Sequence, residues 1–420
     1  MLKESRQTAI AHRALPLRAG FALAAGRVAK DLSRRLGKGS GGVIGGNVAL
    51  RLDPRVLELL ASHRETALVS ATNGKSTTTQ FLAAALEVLG PVAHNRGGSN
   101  MANGLVTALD AARDAPLAAL EVDEAYLGPI SAAVAPRSIT LMNLSREFTR
   151  GVSFKREAGH WRDTAAHLPP DCTIVANADD PLVAWAAQPA PTVVWVEGGL
   201  LWEEDARLCR GCLEPLAWDR AGYRCDVCGL TRPEPVWRLV DGEIHGPSGS
   251  VPADIRLPGR ANRVNALFAL ATAGVFGVDP ATAMAAIARI GDVDGRYRQY
   301  DVDGRIVQLH MVKNSASWGE TIELFACDAG AGLLFAVDGF GLTGRDTATI
   351  WDAPVERLAG RRATASGVRR DDIALRLEIA GIQVTTVEDH LDAIRSCPPG
   401  PVHAACNYSA FNVLKKRLAS

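Results

Sequence analysis

The 420-residue sequence has no excess of charge of either sign and no long apolar run. It carries 46 basic and 46 acidic residues, so its net charge gives no reason to expect nucleic acid as the main partner. No apolar run approaches the roughly 18–20 residues that span a bilayer. We also expect no export signal, because Arg18 and Arg27 interrupt the partly apolar stretch 17–29. We therefore expect a cytoplasmic globular protein of two or three domains.

Cysteine is sparse, and four of the eight cysteines stand alone in the chain. Scattered cysteines in apolar surroundings are usually buried small side chains, and we expect this of Cys172, Cys327, Cys397 and Cys406. Without an export signal, such isolated thiols are typical of a reducing cytoplasm.

The other four cysteines form two closely spaced pairs, Cys209-x-x-Cys212 and Cys225-x-x-Cys228, with twelve residues between them. Two such pairs can supply the four sulfur atoms of a tetrahedral zinc site, whereas a redox pair normally stands alone. A four-cysteine site has no open position for water, so the predicted zinc is structural. Its ligation would contribute on the order of 10 kcal/mol to the folding of the insert.

Residues 66–80 predict a strand, a glycine turn and a helix, in that order. The N–H groups of such a turn and the positive end of the helix dipole together bind phosphate. Lys75 would reach the β- and γ-phosphates of ATP as a catalytic residue, and the Ser76 hydroxyl would hold magnesium. The alternative is a Ser/Thr-rich N-cap on an ordinary helix. The candidate nucleotide-binding residues of this loop are Thr72, Asn73, Gly74, Lys75, Ser76 and Thr77.

A second apolar strand, starting at Leu117, ends in three carboxylates, Glu121, Asp123 and Glu124. Ligands of parallel α/β sheets bind beyond the carboxyl ends of the strands. Glu121 is the first choice for a catalytic carboxylate that holds magnesium against the ATP phosphates. Acidic residues are also common in turns, so a turn role is the alternative for each of the three.

The alternation of strand and helix patterns predicts an α/β protein with a mostly parallel sheet flanked by helices. We expect an N-terminal basic helical segment at 1–45, a central domain at 46–300 with the cysteine insert at about 197–235, and a smaller α/β domain at 301–420. Residues 11–37 predict a basic amphipathic helix, which either packs on the core or contacts an anionic lipid surface. The glycine-rich residues 38–48 predict a loop.

Two asparagines, Asn262 and Asn265, lie three positions apart on a predicted helix and so share one face. Two amides on one face can bind a base edge or a ribose, although alone they are weak evidence. Arg296 lies in the boundary segment 294–297, and we include it among the candidate nucleotide-binding residues. The last domain is predicted to contain strands at 305–312, 332–337, 383–387 and 401–405, helices at 317–327, 370–379 and 410–418, and a loop at 338–352.

Taken together, these motifs resemble the Mur ligase superfamily, and within it the MurT family, from about residue 27 to residue 418. The matching segments are Thr72–Ser76, Asn100-Met101, Glu121–Glu124, Asn177–Pro181, Leu257–Gly259 with Asn262 and Asn265, Met311–Asn314, Gly344–Asp346, Trp351-Asp352 and Ser366–Arg376. The four-cysteine ribbon is the feature that MurT has and other Mur ligases lack. The resemblance implies a Mur-type central ATP-binding domain.

The resemblance implies an ATP-dependent carbon–nitrogen ligase that needs ATP, magnesium and a structural zinc. In the MurT family, ATP phosphorylates the α-carboxylate of D-glutamate in the stem peptide of lipid II. Ammonia released from glutamine by a GatD-like glutamine amidotransferase then gives D-isoglutamine. A MurT aspartate completes a Cys–His pair in that partner and orients its histidine. Asp352 and Asp346 are the candidates for this catalytic role, and a turn aspartate is the alternative for each.

Several segments depart from the family patterns. In the phosphate loop, Ala71 and Ser76 replace glycine and threonine, and serine keeps the hydroxyl. On the substrate side, Ser145–Arg150, Asn314–Ser317 and Thr343 differ from the usual residues. Two other functions therefore stay open. The chain could be a Mur-type ligase for a different carboxylate, or a non-catalytic nucleotide-binding partner of a glutaminase.

Overall fold

The computed structural model describes residues 15–36, 42–95, 99–146, 153–200, 202–293, 297–339 and 348–419. The strands of its first large sheet are β1 (Glu65–Ser70), β2 (Val92–His94), β3 (Leu117–Glu121), β4 (Ser138–Leu141), β5 (Thr173–Asn177) and β6 (Val193–Val196). They are all parallel and lie in the order β2-β3-β1-β4-β5-β6. The direction of the crossovers changes beside β1, and such a switch point opens a crevice at the carboxyl ends of the strands.

Helices cover both faces of this sheet, as the α/β prediction requires. In chain order they are α1 (Leu17–Arg35), α2 (Gly42–Leu52), α3 (Val56–Ala61), α4 (Lys75–Leu86), α5 (Ala102–Ala111), α6 (Leu127–Val134), α7 (Phe154–Ala166), α8 (Pro181–Ala187), α9 (Arg260–Val275) and α10 (Pro280–Ile287). Successive residues of β1 face opposite sides: Leu68 joins the core with Trp161 of α7, and Val69 joins the core with Phe81 of α4 and Phe268 of α9. The central strand is therefore apolar on both sides.

The loop prediction for residues 38–48 is wrong from Gly42 onward, where helix α2 begins. Two glycines, Gly26 of α1 and Gly45 of α2, allow these two helices to cross closely. A Cβ atom on Gly26 of α1 would lie 2.6 Å from the carbonyl oxygen of Gly45. The two backbones can approach this closely because neither residue has a side chain. The predicted basic helix is α1, which packs antiparallel on α2, since Arg18 Nε donates to the carbonyl of Leu52 at 2.8 Å.

Two small antiparallel sheets interrupt the first domain between β6 and α9. The cysteine insert contains the hairpin β7 (Ala217–Asp219) and β8 (Gly222–Arg224). A three-stranded sheet follows, with β9 (Arg238–Val240), β10 (Glu243–Gly246) and β11 (Gly249–Pro252). Sequence reasoning placed the insert but missed the second small sheet.

A second large sheet begins at Tyr297. Its strands are β12 (Tyr297–Val302), β13 (Arg305–Val312), β14 (Gly332–Ala336), β15 (Arg362–Ser366), β16 (Gln383–Val387) and β17 (Gly400–Asn407). Their order is β12-β13-β17-β14-β15-β16, and only β12 runs antiparallel to its neighbour. The accompanying helices are α11 (Ser315–Cys327), α12 (Ala348–Trp351), α13 (Arg370–Ile379), α14 (His390–Ser396) and α15 (Tyr408–Leu418).

The predicted second α/β unit is confirmed, with three additions. Strands β12 and β15 were not predicted, and α12 occupies the end of the predicted loop at 338–352, of which 340–347 lie outside the described residues. Strand β12 turns into β13 through Asp303 and Gly304, whose φ angles of 51° and 77° match the turn that favours Asp-Gly in hairpins. The domain boundaries drawn from the sequence stay predictions. In the part of the chain that the structure describes, no helix combines the length and apolar character that crossing a membrane requires.

Candidate functional site

The predicted strand, turn and helix of the phosphate loop meet at the carboxyl end of the central strand. Strand β1 ends at Ser70, and α4 begins at Lys75. Between them, Gly74 has a φ of +88°, in the left-handed region that favours glycine. A Cβ atom on Gly74 would lie 2.5 Å from Oδ1 of Asn265. The loop therefore needs glycine both for its backbone angle and for the close approach of the α9 side chain.

Side chains after β4 hold the phosphate loop in shape. The backbone N–H of Asn73 donates to Asn143 Oδ1 at 2.9 Å, and Asn143 Nδ2 donates to the carbonyl of Asn73 at 3.0 Å. The backbone N–H of Ser145 donates to Thr72 Oγ1 at 3.1 Å. These bonds order the loop in advance, so less conformational entropy is lost when an anion binds.

Ser76 and Glu121, predicted to share a magnesium ion, lie together. Ser76 Oγ donates to Glu121 Oε2 at 2.7 Å, and Asn100 Nδ2 donates to the other carboxylate oxygen at 3.2 Å. Asn95 also fixes this turn, because its Nδ2 donates to the backbone carbonyl of Glu121 at 2.9 Å. Magnesium takes oxygen ligands, often from one or two carboxylates and a hydroxyl beside phosphate, so this set of residues fits the ion.

Lys75 is buried and paired with Glu124. Its Nζ lies 2.8 Å from Glu124 Oε2 and also donates to the carbonyl of Ala71. Burial by itself raises the pKa of Glu124, but the ammonium groups of Lys75 and Lys313 outweigh it and hold that pKa below the ordinary value. The side chain that would reach phosphate is therefore already held in an ion pair, at the third carboxylate of the strand end.

Sequence reasoning missed Lys313, which comes from the second large sheet. It follows β13, and its Nζ donates to the carbonyl of Thr72 in the phosphate loop at 2.9 Å. Lys313 thus places a second positive charge at the phosphate loop. The sequence did hold a signal, since the lysine and the polar Asn314 directly follow a predicted strand, where ligands of α/β sheets bind.

A cleft of about 880 Å³, a volume that includes the open solvent at its mouth, lies beside the phosphate loop. One wall is apolar, with Met142 and Phe268, and the charged side chains of Arg260 and Glu320 also line it. Burial raises the pKa of Glu320, and Arg260 opposes this shift. The cleft lies between α9 and α11. Residues of the first domain and of the second domain therefore both line it.

The remaining predicted nucleotide residues fall in different places. Asn265 and Thr77 line the cleft, together with Asn73 and Gly74. Asn262 instead donates to the carbonyl of Pro258 at 2.7 Å, and its Oδ1 accepts from Asn265 Nδ2 at 3.4 Å. It therefore contacts the cleft residue without itself lining the cleft. Arg296 lies outside the described residues.

The far wall of the cleft is tied to the cysteine insert. Asn177, Gly198 and Gly199 line the cleft, and Asn177 Nδ2 donates to the carbonyl of Gly199 at 2.9 Å. The backbone N–H of Gly199 donates to Asp179 Oδ2 at 2.7 Å. Arg232, which follows the second cysteine pair, donates from Nε to Asp179 Oδ1 at 2.6 Å. One carboxylate thus joins the ribbon to the cleft wall.

A second hydrogen bond fixes the ribbon on the same loop. The hydroxyl of Tyr223, a buried residue of β8, donates to the carbonyl of Ala178 at 3.0 Å. Ala178 lies between Asn177, which lines the cleft, and Asp179. The insert therefore contacts this loop at two neighbouring residues.

The four clustered cysteines converge as predicted. Their sulfur atoms all lie within 4.8 Å of one another, and two separations are short: 3.4 Å for Cys209–Cys228 and 3.3 Å for Cys212–Cys225. Zinc–sulfur bonds of about 2.3 Å in a tetrahedron would place sulfur atoms about 3.8 Å apart. Backbone N–H groups of Cys228 and Val227 lower the pKa of the Cys225 thiol, whereas burial raises the pKa of Cys209, so the fit to zinc rests on the geometry of the four sulfur atoms. The residues present fit a four-sulfur zinc site.

Of the two aspartates predicted to serve a partner, only Asp352 is described; Asp346 lies outside the described residues. Asp352 directly follows α12 and is half-buried. Its Oδ2 accepts a hydrogen bond of 2.7 Å from the hydroxyl of the buried Ser315. The carboxylate is therefore held in one orientation by the first turn of α11.

Comparison with known proteins identifies relatives of the whole chain and of its last domain. A family model described as "MurT ligase C-terminal" matches residues 311–411. The chain is 27% identical over 446 aligned positions to the Streptococcus pneumoniae protein named lipid II isoglutaminyl synthase (glutamine-hydrolyzing) subunit MurT. That alignment covers 96% of this chain and 98% of the relative.

Solved structures of similar fold are peptide ligases. The pseudomurein peptide ligase type C from Methanothermus fervidus has a TM-score of 0.64 and 16% identity, and the match covers 84% of this chain and 79% of that one. The MurF ligase from Thermotoga maritima in complex with ADP has a TM-score of 0.61 and 15% identity, with 88% and 82% covered. At this identity the likeness concerns the fold. Together with the MurT similarity along the chain, it supports a MurT-like Mur ligase of Mur-type α/β fold, and by class an ATP-dependent ligase.

Proposed function

We propose that this chain amidates the α-carboxylate of D-glutamate in the stem peptide of lipid II, giving D-isoglutamine, at the expense of ATP. The observation that carries the proposal is the similarity to the pneumococcal MurT, which extends over 96% of the chain. A cleft beside a lysine-bearing phosphate loop supports it. In this proposal the chain is the ligase subunit of a two-protein enzyme.

The chemistry has two steps. An oxygen of the acceptor carboxylate attacks the γ-phosphorus of ATP, the bond to the bridging oxygen breaks, and ADP leaves with an acyl phosphate as the other product. Ammonia then attacks the carbonyl carbon, phosphate departs, and the nitrogen loses a proton. Lys75 and Lys313 supply positive charge where the transferring phosphoryl group becomes more negative. Both belong to the loop environment described above, one from α4 and one from the second sheet.

We assign Ser76 and Glu121 to the magnesium ion, which when bound neutralises charge on the phosphate oxygens. Their 2.7 Å contact puts two oxygen ligands side by side at the helix start. Thr72, Asn73, Gly74 and Thr77 would surround the phosphates. Asn265, Asn262 and Arg296 are assigned to the nucleoside.

The ammonia source in this proposal is a GatD-like glutaminase. Asp352 is assigned to the partner's catalytic Cys–His pair, because its carboxylate is already oriented by Ser315. An aspartate in that role holds the histidine in one tautomer and stabilises its protonated form. Asp346 stays the second candidate. Four thiolates at Cys209, Cys212, Cys225 and Cys228 would hold a structural zinc.

We further propose that the reaction takes place in the cytoplasm, at the inner face of the membrane. A lipid-anchored acceptor is confined to that surface, so an enzyme that meets it there searches two dimensions instead of three. This location agrees with the isolated thiols of the chain, which are typical of a reducing compartment.

The test is a reconstituted reaction followed by mass spectrometry. The full chain is incubated with lipid II, ATP, glutamine carrying ¹⁵N in its side-chain amide, and a GatD-like partner. We expect ¹⁵N in a new amide, placed by fragmentation on the α-carboxylate of D-glutamate, and one ADP for each amide formed. Ammonium chloride should replace glutamine and the partner.

Two results would overturn the proposal, each in favour of one alternative. If lipid II stays unchanged while another carboxylate-bearing precursor is amidated, the chain is a ligase with a different acceptor. If no acceptor causes ADP release while the chain still stimulates the glutaminase, it is a non-catalytic nucleotide-binding partner.

A further inference from the structure

Helix α1 presents a stripe of exposed apolar side chains along its whole length. The exposed fractions are 94% for Leu17, 67% for Phe21, 68% for Val28, 57% for Leu32 and 61% for Leu36. At about 100° per residue, the first four lie within an arc of about 60° on the helix. Large apolar side chains are rarely left in water as a continuous stripe unless another surface covers them.

The opposite side of α1 is the side that packs on the protein. Ala19, Ala22, Leu23 and Gly26 are buried there, and Gly26 makes the close crossing with α2. The apolar stripe is therefore not part of the core. It is also concentrated in one place, because eight of the twenty-three exposed large apolar side chains among the described residues belong to α1, Leu36 and α2.

The segment that carries the stripe, residues 15–36, is strongly basic. Residues 15–36 carry five cationic side chains, Arg18, Arg27, Lys30, Arg34 and Arg35, against the single acid Asp31, which gives a net charge of +4. The whole chain has a formal net charge of zero, so this helix stands out against it. Arg18 lies beside the stripe at its first turn, and Arg35 lies within the arc of the stripe at its last turn.

We propose that α1 lies in the surface of an anionic lipid bilayer, with the stripe from Leu17 to Leu36 inserted and the basic residues beside the lipid head groups. An interfacial helix combines an apolar face with basic residues and a low mean hydropathy; α1 has an exposed apolar stripe, basic residues along its length and a low mean hydropathy, while its opposite side packs on the protein. A flat bilayer can cover a single straight stripe of about 28 Å, the length of a 19-residue helix. The positive charge selects an anionic surface. This proposal depends only on α1 and does not require the proposed amidation to be correct.

The experiment is sedimentation of the full chain with vesicles of phosphatidylglycerol and phosphatidylcholine in equal parts, and with vesicles of phosphatidylcholine alone. We expect binding to the anionic vesicles at least about tenfold stronger than to the neutral ones, and weaker binding at high salt. The double variant Phe21→Glu/Val28→Glu should lose binding to both. Both positions are exposed, so the fold should be retained.

The matched control is Leu375→Glu/Ile379→Glu on α13, two residues that share one helix face and are 51% and 64% exposed. It adds the same charges elsewhere and should bind vesicles like the wild type. A third variant, Arg34→Gln/Arg35→Gln, should bind anionic vesicles more weakly and leave the weak binding to neutral vesicles unchanged.

Three results would contradict the proposal. The wild type could fail to bind anionic vesicles, or Phe21→Glu/Val28→Glu could bind them as well as the wild type does. Alternatively, the wild type could bind no vesicles and instead form a dimer in light scattering, which only Phe21→Glu/Val28→Glu dissociates. The stripe would then be an interface between two copies of the chain. Amidation of a water-soluble stem peptide should be unchanged in the stripe variant, which separates this proposal from the proposed function.

Discussion

The polar groups at the carboxyl ends of the two large sheets have different surroundings. At the end of the first sheet, Ser76, Lys75 and Glu121 stand beside a cleft of about 880 Å³. Beyond β14, β15 and β16 of the second sheet, by contrast, polar side chains contact one another and are buried. Ser366 Oγ lies 2.8 Å from His390 Nδ1, and His390 Nε2 lies 3.0 Å from Asp338 Oδ2.

The difference teaches that the topology collects polar groups at a sheet edge, and that burial does not separate the two edges, because Lys75 and Glu121 are only 4% and 2% exposed; what marks the first edge is the cleft beside it. Asp338, Ser366 and His390 are each at most 4% exposed. Asp338 also accepts from the backbone N–H of Val368 at 3.2 Å. Burial raises the pKa of Asp338, but the hydrogen bond and charge of His390 outweigh it and lower that pKa. A Ser–His–Asp chain that is closed in this way supports the fold.

The largest effect on activity should come from the carboxyl end of the first sheet, the first edge. Lys75→Ala removes the ammonium group at the phosphate loop, and we expect kcat to fall about 10²–10³-fold, as it does when one charge-stabilising donor is lost. The measurement is acceptor-dependent ADP release. Lys416→Ala, an exposed lysine on α15, is the matched control and should keep full turnover. Retention of more than a tenth of wild-type turnover by Lys75→Ala would contradict the role of this lysine.

The second edge should respond in stability. Asp338→Ala leaves His390 Nε2 and the N–H of Val368 buried without their partner, and we expect a loss of about 1–3 kcal/mol in the free energy of unfolding. Urea titration measures the loss, and nucleotide affinity measured under native conditions should not change. Asp371→Ala on the exposed start of α13 should alter stability by less than about 0.5 kcal/mol. A change in nucleotide affinity without loss of stability would mean that the two edges are alike after all.

The smallest effect should come from the cysteine insert (the ribbon), which contacts the cleft wall beside the first sheet through Arg232 and Asp179. Arg232→Ala removes the bond to Asp179, which positions Gly199 in the cleft wall, and we expect the Kd for magnesium–ADP to rise about 3–10-fold. Calorimetry measures the Kd. Arg224→Ala is the matched control, because Arg224 pairs with Asp219 and Asp226 inside the ribbon.

Zinc content should be the same in both arginine variants, which would exclude a general loss of the ribbon. If Arg232→Ala binds the nucleotide as tightly as the wild type, the ribbon does not support the cleft.

The parts of the site that sequence reasoning placed are those encoded within a short stretch. The phosphate loop and the cysteine pairs depend on spacing along a few residues, and both formed as predicted. The pairing of Ser76 with Glu121 followed from the rule that neighbouring parallel strands end at one edge. The alternation of strand and helix was enough to predict both α/β sheets.

The parts that were missed depend on contacts between distant segments. Lys313 is 241 positions from Thr72, and no local pattern indicates that they meet. The role of Gly45 depends on Gly26 lying opposite it, so a run of glycines that normally predicts a loop formed a helix instead. Strand β12 has charged residues at several positions because it lies at the edge of its sheet, and this hid its periodicity.

If the nucleotide binds at Lys75 as proposed, the ion pair between Lys75 and Glu124 makes its binding an exchange rather than an addition. The ammonium group is already neutralised at 2.8 Å, so an incoming phosphate has to compete with the carboxylate for it. The measured affinity is then the difference between two attractive interactions, and a weakly charged ligand gains little from the lysine. Glu124 thus acts as a threshold: only a ligand with enough negative charge at that position can take Lys75 from its partner.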